Sequence, residues 1–438
     1  MIKKPKKIDY SKFESKSIDS ENNAKYGLPS EVKFCTRCVE SNQRPSTTVE
    51  YKHTLKSKKE TIQFDAEGVC SACKFAEEKG KTDWDLREEM LVELCDRHRR
   101  NDGRYDCIVP GSGGKDSIYV SHLLKNKYGM HPLTITWSPH IYTDWGRKNF
   151  DAWIHGGQDN ILITPNGRVH RLLTRLAVDV LFHPFQPFIF GQKSAAPPIA
   201  AAMDIPLIFY GEHEAEYGSP VENDNMSRQD EKFFSAANFE DMYLSGVPVR
   251  ELIENYGIDL SELQLYMPVD PERVREKNIE VHYFGYYNKW HPQGSYYYSV
   301  ENSNFMASPE RTAGTYSKYS SIDDKVDDFH YYTTGIKFGR GRATEDASQE
   351  IRSDEITRDE GVALVKRFDL EFPERFSEEI FEYLSIPEKE FPVASKMFEQ
   401  PIMNRDYFDN LADSFRSPHL WKKENGLWKL RHTVWNDS

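Results

Sequence analysis

The segment Val109-Pro110-Gly111-Ser112-Gly113-Gly114-Lys115-Asp116-Ser117 most constrains the fold. An apolar run, Tyr105 to Val109, leads into it, and an amphipathic run, Ile118 to Tyr128, leads out. Strand, glycine loop and helix in that order aim backbone N–H groups and a helix N-terminus at an anion. Gly113 and Gly114 leave no side chain between backbone and ligand. Ser112 and Ser117 add hydroxyl donors, and Lys115 a point charge. Asp116 is the exception, because a carboxylate repels phosphate. It fits if it holds a magnesium ion or orients a group bound to one. Pro110, Gly111, Ser112, Gly113, Gly114 and Ser117 are thus expected to bind the ligand, with Lys115 and Asp116 acting on it.

Short apolar runs alternate with helical patterns downstream. Strands are expected at Pro132–Trp137, Asn160–Thr164 and Ile205–Tyr210, with another possible at Val281–Tyr287. Helices are expected at Trp84–Arg100, capped by Asp83 or Thr82 and with Leu86, Met90, Leu91 and Leu94 on one face, at Asp144–Ile154 and around Val169–Val180. This alternation predicts an α/β fold with a parallel, doubly wound sheet. Ligands in such sheets sit at the carboxyl ends of the strands. Thr136, Trp137, Thr164 and Gly211 fall at those ends and are expected beside the nucleotide. Glu212, Glu214 and Glu216 crowd negative charge at the same edge, which a metal or a cationic or ammonia-like reactant would offset. They are candidates for metal binding or proton transfer. His213 reads as structural. Gln192, Lys193 and Tyr217 are candidate substrate contacts, as are Arg340 and Arg342, whose glycine-relieved loop suits a phosphate or carboxylate clamp.

Helices are also expected at Phe239–Leu244, Val249–Tyr256, Ser261–Leu265, Arg358–Arg367 and Ser377–Leu384. The stretch Lys289–Tyr298 is polar-aromatic and suits a sugar or a base as well as packing. The chain divides into a flexible basic arm at 1–30, a cysteine module at 31–82, a nucleotide domain at 83–300 and a mostly helical region at 301–438.

All six cysteines precede residue 108. Cys35, Cys38, Cys70 and Cys73 form two Cys-x-x-Cys pairs, the spacing of a zinc knuckle. Four thiolates leave no open position, so the zinc is expected to be structural. The 31 residues between the pairs include a polar insertion at 51–60. Cys95 and Cys107 read as buried structural thiols.

The net charge is −13, which weighs against a general nucleic-acid surface. No run approaches the length of a membrane span, and a cytoplasmic protein is expected. No cysteine follows residue 107 and residue 2 is isoleucine, so the glutaminase that amide-forming enzymes often carry is not expected on this chain. Ammonia, if used, should come from a partner.

The loop resembles the Ser-Gly-Gly-x-Asp-Ser motif of the ATP pyrophosphatases, the PP-loop enzymes of the adenine-nucleotide α-hydrolase-like (HUP) class. That resemblance implies ATP and Mg²⁺. The wider chain resembles the N-acetyl sugar amidotransferases of the WbpG and PseA type. The segments are Cys-Thr-Arg-Cys-Val (35–39), Glu-Gly-Val-Cys-Ser-Ala-Cys (67–73) and 102–117, followed by Thr-Trp-Ser-Pro-His (136–140), Thr-Pro-Asn-Gly (164–167), 210–218 and 337–344. This family implies conversion of an N-acetyl group to an acetamidino group on a nucleotide-linked or nonulosonic sugar. The product serves lipopolysaccharide O-antigen or flagellin glycans. It also implies ammonia from a glutaminase subunit and a cyclase-like partner, relatives of the HisH and HisF subunits of histidine biosynthesis. The alternatives are an RNA-modifying, thiolation-type PP-loop enzyme and a non-catalytic zinc and nucleotide scaffold.

Overall fold

The structure, a computed structural model, describes residues 23–219, 226–398 and 400–436. Residues 1–22 of the basic arm and 221–225 of the polar loop at 221–230 lie outside them.

Helices α1 (Ser71–Lys81) and α2 (Trp84–His98) precede the sheet. Then come β1 (Cys107–Pro110), α3 (Lys115–Asn126), β2 (Pro132–Trp137), α4 (Asp144–His155), β3 (Asp159–Ile163), α5 (Gly167–Leu181), α6 (Gln186–Met203) and β4 (Leu207–Tyr210). A short hairpin, β5 (Tyr243–Leu244) and β6 (Val247–Pro248), leads to α7 (Val249–Tyr256) and α8 (Pro271–Glu276). After β7 (Glu280–Tyr283) come α9 (Phe284–Tyr287), α10 (Pro292–Ser303), α11 (Asp327–Phe338), α12 (Arg342–Arg352), α13 (Arg358–Phe368), α14 (Ser377–Leu384) and α15 (Arg405–Phe415). Strands β8 (Trp421–Glu424) and β9 (Leu427–Leu430) form a final hairpin.

The main sheet has the order β3-β2-β1-β4-β7, and every pairing in it is parallel. Strand residues alternate between two cores, as their pleat requires. Ile108 and Ile208 face one core with α5 and α6. Cys107, Val109, Leu207 and Phe209 face another with α2, α3 and α9. Both faces are covered, which is the doubly wound arrangement. The order reverses at β1, so the glycine loop emerges at the switch point where such sheets bind ligands.

Several expectations need correction. Asp83 caps α2 by accepting from Leu86 N–H, but the buried face is Leu91, Leu94 and Cys95. Leu86 and Met90 are exposed. The helix expected at Phe239–Leu244 is a short 3₁₀ turn followed by β5. The boundary at 300 falls inside α10. Residues 23–30 are docked rather than free: Lys25 N–H donates to Ser417 Oγ (2.9 Å), Tyr26 O–H to Phe415 O (2.7 Å), and Leu28 is buried. Farther along, His419 and Gln43 hydrogen-bond side chain to side chain at 3.0 Å. The insertion at 51–60 is not purely solvated, since Tyr51 is buried and packs edge-on to Phe190. Among the described residues no helix is long and apolar enough to cross a membrane.

Candidate active site

The glycine loop lines one wall of a cavity of about 610 Å³. Gly111 N–H donates to Ile135 O (2.9 Å), tying the loop to β2. A Cβ on Gly111 would sit 2.1 Å from Ser117 Cβ. Gly113 has φ +83°, and its Cβ would lie 2.8 Å from Phe150 Cα. Gly113 therefore shapes the turn and does not itself line the cavity, whereas Gly114 does. Lys115 begins α3, with its ammonium on Asp116 Oδ2. Asp116 Oδ1 accepts from Trp290 Nε1 (2.9 Å).

The ends of β4 and the following turn form a second wall. Gly211, Glu212, Glu214 and Tyr217 line it, with Gln192 and Lys193 of α6 beside them. Tyr217 O–H donates to Glu212 Oε1 (2.9 Å). Burial and the nearby charge of Asp116 push the Glu212 carboxyl up, with Lys115 opposing. Glu214 accepts from Thr47. His213 caps the turn, its Nδ1 accepting from Ala215 N–H (3.1 Å). Glu216 points elsewhere: it pairs with Lys79 of α1 and is not in the cavity.

The third wall comes from the C-terminal region. Asp323, Asp327, Tyr331, Arg342, Glu345 and Asp346 all face the cavity. Arg342 is the first residue of α12, paired with Asp346 at 2.9 Å and Glu345 at 3.8 Å. Burial pushes Asp327 well above the usual carboxylate range, and Asp323 adds to the rise. Burial also raises Asp323, while a hydrogen bond to Ser112 pulls it back. Burial pushes on Glu345 in the same sense, yet Arg44, Arg340 and Arg342 overcome it and bring Glu345 down to about 2.

Not every expected residue reaches the site. Arg340 is buried and bidentate on Glu40 (2.8 and 2.9 Å), so it joins α12 to the cysteine module. Thr136 is buried and accepts from Asn160 Nδ2 (2.9 Å). Trp137 is packed in the core against Tyr266. Thr164 is exposed outside the cavity. Burial on both faces of β2 explains Thr136 and Trp137, whose side chains at the strand end serve packing.

Sequence reasoning missed Trp290 as a partner of Asp116, as well as Arg44 and Thr47. A polar-aromatic stretch flagged the first. No local signal marked the others, because they reach the cavity through the fold of the cysteine module.

In that module Cys35, Cys38, Cys70 and Cys73 are all buried, with sulfurs within 4.8 Å of one another. The Cys35–Cys73 and Cys38–Cys70 sulfur pairs are 3.8 and 3.7 Å apart. A tetrahedron with Zn–S of about 2.3 Å has edges of about 3.8 Å. The set therefore fits one metal ion; a multi-iron cluster would hold its thiolates farther apart. Backbone N–H groups of Arg37, Glu40 and Cys70 point at the sulfurs, as thiolates require. Arg352 links the module to the site, reaching Cys38 Sγ (3.9 Å) and Glu216 O (3.0 Å). Cys95 and Cys107 are fully buried, and burial pushes Cys95 up to about 12.

A stretch of 83 residues is 31% identical to an uncharacterized protein of Methanocaldococcus jannaschii, covering 19% of this chain and 29% of that protein. The chain thus spans less than a third of that relative. A U34-tRNA thiolase NcsA from Methanococcus maripaludis, solved with its [4Fe-4S] cluster, aligns over 77% of this chain and 89% of its own. That likeness has 13% identity and a TM-score of 0.27, too distant to bear on the site. Residues 313–434 match the family model for the C-terminal domain of WbpG-like LPS biosynthesis proteins. These residues hold the third wall, so it is this C-terminal part of the chain that is similar to the WbpG-like proteins.

Proposed function

We propose that the chain is an ATP-dependent amidotransferase. It adenylates the acetamido oxygen of an N-acetylated sugar and replaces that oxygen with nitrogen from ammonia. The observation that carries this reading is one cavity with a phosphate-type glycine loop on one wall and carboxylates on the other two.

An amide carbon is a poor electrophile and its oxygen a poor leaving group. The acetamido oxygen attacks the α-phosphorus of ATP, the bond from that phosphorus to the bridging oxygen breaks, and pyrophosphate departs. Ammonia then adds to the activated carbon, and its C–O bond to AMP breaks. The product is an amidinium, so a positive charge appears where none existed. Buried carboxylates around a developing cation stabilise it without reorganisation. Glu212 and Glu214 stand on that wall, and an ionised glutamate there also takes the proton from ammonium.

On the glycine-loop wall Lys115 and the N–H groups at the start of α3 stabilise charge moving onto pyrophosphate. Asp116 and Glu212 both line the cavity, the charge of Asp116 acting on Glu212, and this pair would hold magnesium. Bound there, magnesium neutralises charge on the phosphates. Trp290 fixes the Asp116 carboxylate by its indole N–H. Zinc is the metal we assign to the four cysteines, and a glutaminase with a cyclase-like partner is the ammonia source. Surface-glycan assembly in the cytoplasm is the setting.

The test is incubation with ATP, ammonium and a panel of N-acetylated sugars and sugar nucleotides, followed by mass spectrometry. The expected product shows oxygen exchanged for NH and appears in step with AMP. ADP as the nucleotide product rejects the adenylation step. AMP released only with added tRNA moves the assignment to RNA modification.

A further inference from the structure

Away from the cavity, Glu50, His53 and His183 converge, each offering a ligand atom within 4.8 Å of the others. Glu50 and His53 sit at either end of one 3₁₀ turn, Glu50–Lys52 with His53 as its cap. His183 follows α5, where Phe182 adopts a left-handed cap. Three chain positions thus meet from two segments distant in sequence.

The local chemistry is unresolved without a ligand. Glu50 Oε2 and His53 Nδ1 face each other at 3.7 Å, beyond a hydrogen bond. Among the described residues neither atom has a hydrogen-bond partner, and the two residues are buried, 7% and 4% exposed. A carboxylate oxygen and an imidazole nitrogen left this way are costly to bury. A cation between them satisfies both lone pairs. The surroundings also hold the residues in place, as outer partners of metal ligands do. Gln186 Nε2 donates to Glu50 O (3.2 Å), and Gln186 Oε1 accepts from Ser245 N–H (2.7 Å). The His330 ring stacks on His183 at 5.0 Å.

Two ammonium groups act on Glu50 from nearby, Lys193 and Lys59, and Glu50 in turn acts on Lys337. Their counterion is the competing role for this carboxylate. Lys59 donates to Thr48, and Lys337 to Leu181 O (2.8 Å). Among the described residues no donor reaches Glu50 Oε2.

We propose that Glu50, His53 and His183 form a second metal site, for a borderline divalent cation such as zinc, separate from the four cysteines. Two imidazoles and a carboxylate suit that class of ion and leave one coordination position open. The ion clips the 51–60 insertion to the loop between α5 and α6.

The test is metal stoichiometry on the full-length protein, stripped with chelator and dialysed against zinc or cobalt without nucleotide. Two equivalents are expected per chain. Cobalt should give a thiolate charge-transfer band from one site and weaker visible bands, without thiolate intensity, from the other. His53→Gln and Glu50→Gln should each lose one equivalent and only the non-thiolate bands. A single equivalent in the wild type overturns the proposal and leaves Glu50 as a lysine counterion. So does retention of both equivalents in the two variants. Because the wild type alone can refute the site, a variant that misfolds does not rescue it.

Discussion

Glu212 and Glu345 face the same cavity from opposite walls, and their charges are governed in opposite ways. Glu212 stands on the sheet edge beside another carboxylate, Asp116, and its proton affinity rises. Glu345 stands in the first turn of α12 among Arg44, Arg340 and Arg342, and its affinity falls to about 2. Both are partly withdrawn from water, so burial does not separate them. Partners do: a buried acid keeps its charge only where cations are built in with it. At the sheet edge Lys115 opposes the rise without overcoming it, whereas on the α12 wall three arginines overcome the effect of burial.

The sharpest way to break this contrast is at Asp116. Asp116→Asn should cut AMP formation by about 10²-fold or more while nucleotide binding persists. Full turnover in a coupled AMP assay would remove Asp116 from the chemistry. The next effect comes from the cysteine module, which lends Arg44 and Thr47 to the cavity. Stripping its metal should lower the melting temperature and turnover together, and restoring zinc should recover both. Loss of stability with unchanged activity would make the module a bystander.

Arg340→Met tests the wall that carries its own cations. It leaves Glu40 buried with Arg44 alone, and should cost about 3 kcal/mol in urea unfolding. The same substitution should raise the Glu345 carboxyl toward the range of Glu212.

The two glutamates also predict opposite pH behaviour. A raised native pKa stabilises below the ordinary carboxylate range, and that stability is lost as pH rises through the native value. Glu212, Asp323 and Asp327 act in that sense. Glu345 stabilises above the ordinary range and loses its contribution only as pH falls toward about 2. The melting temperature of the ligand-free protein should therefore fall as pH rises above that range, and Glu212→Gln should flatten the slope. A slope unchanged in the variant would put the raised affinity elsewhere. The smallest effect is expected from Thr47→Val, about 1 kcal/mol or less through the lost contact with Glu214.

Legibility in the sequence followed contact distance along the chain. The loop and the helix after it were readable because strand, glycines and helix are adjacent and their chemistry is local. The parallel sheet was readable from its apolar runs. The Glu212–Tyr217 turn was half readable. Its charges were visible, but the diversion of Glu216 to Lys79 depends on where α1 packs. Arg340 reads as a surface clamp until its partner Glu40, 300 residues away, is known. Thr136 and Trp137 were misplaced because a strand end in a sheet covered on both sides belongs to the core as much as to the site.

The seam between residues 25–43 and 414–419 sets a timetable for synthesis. Lys25, Tyr26 and Gln43 each have one partner far along the chain, at Ser417, Phe415 and His419. A ribosome adding about 5–20 residues per second delays that meeting by on the order of tens of seconds. During this interval the cysteines have all emerged and can take up metal. The cavity cannot close until α12 arrives with Arg342, Glu345 and Asp346. The site therefore stays open through much of synthesis, and a late folding step joins residues 25–43 to residues 414–419.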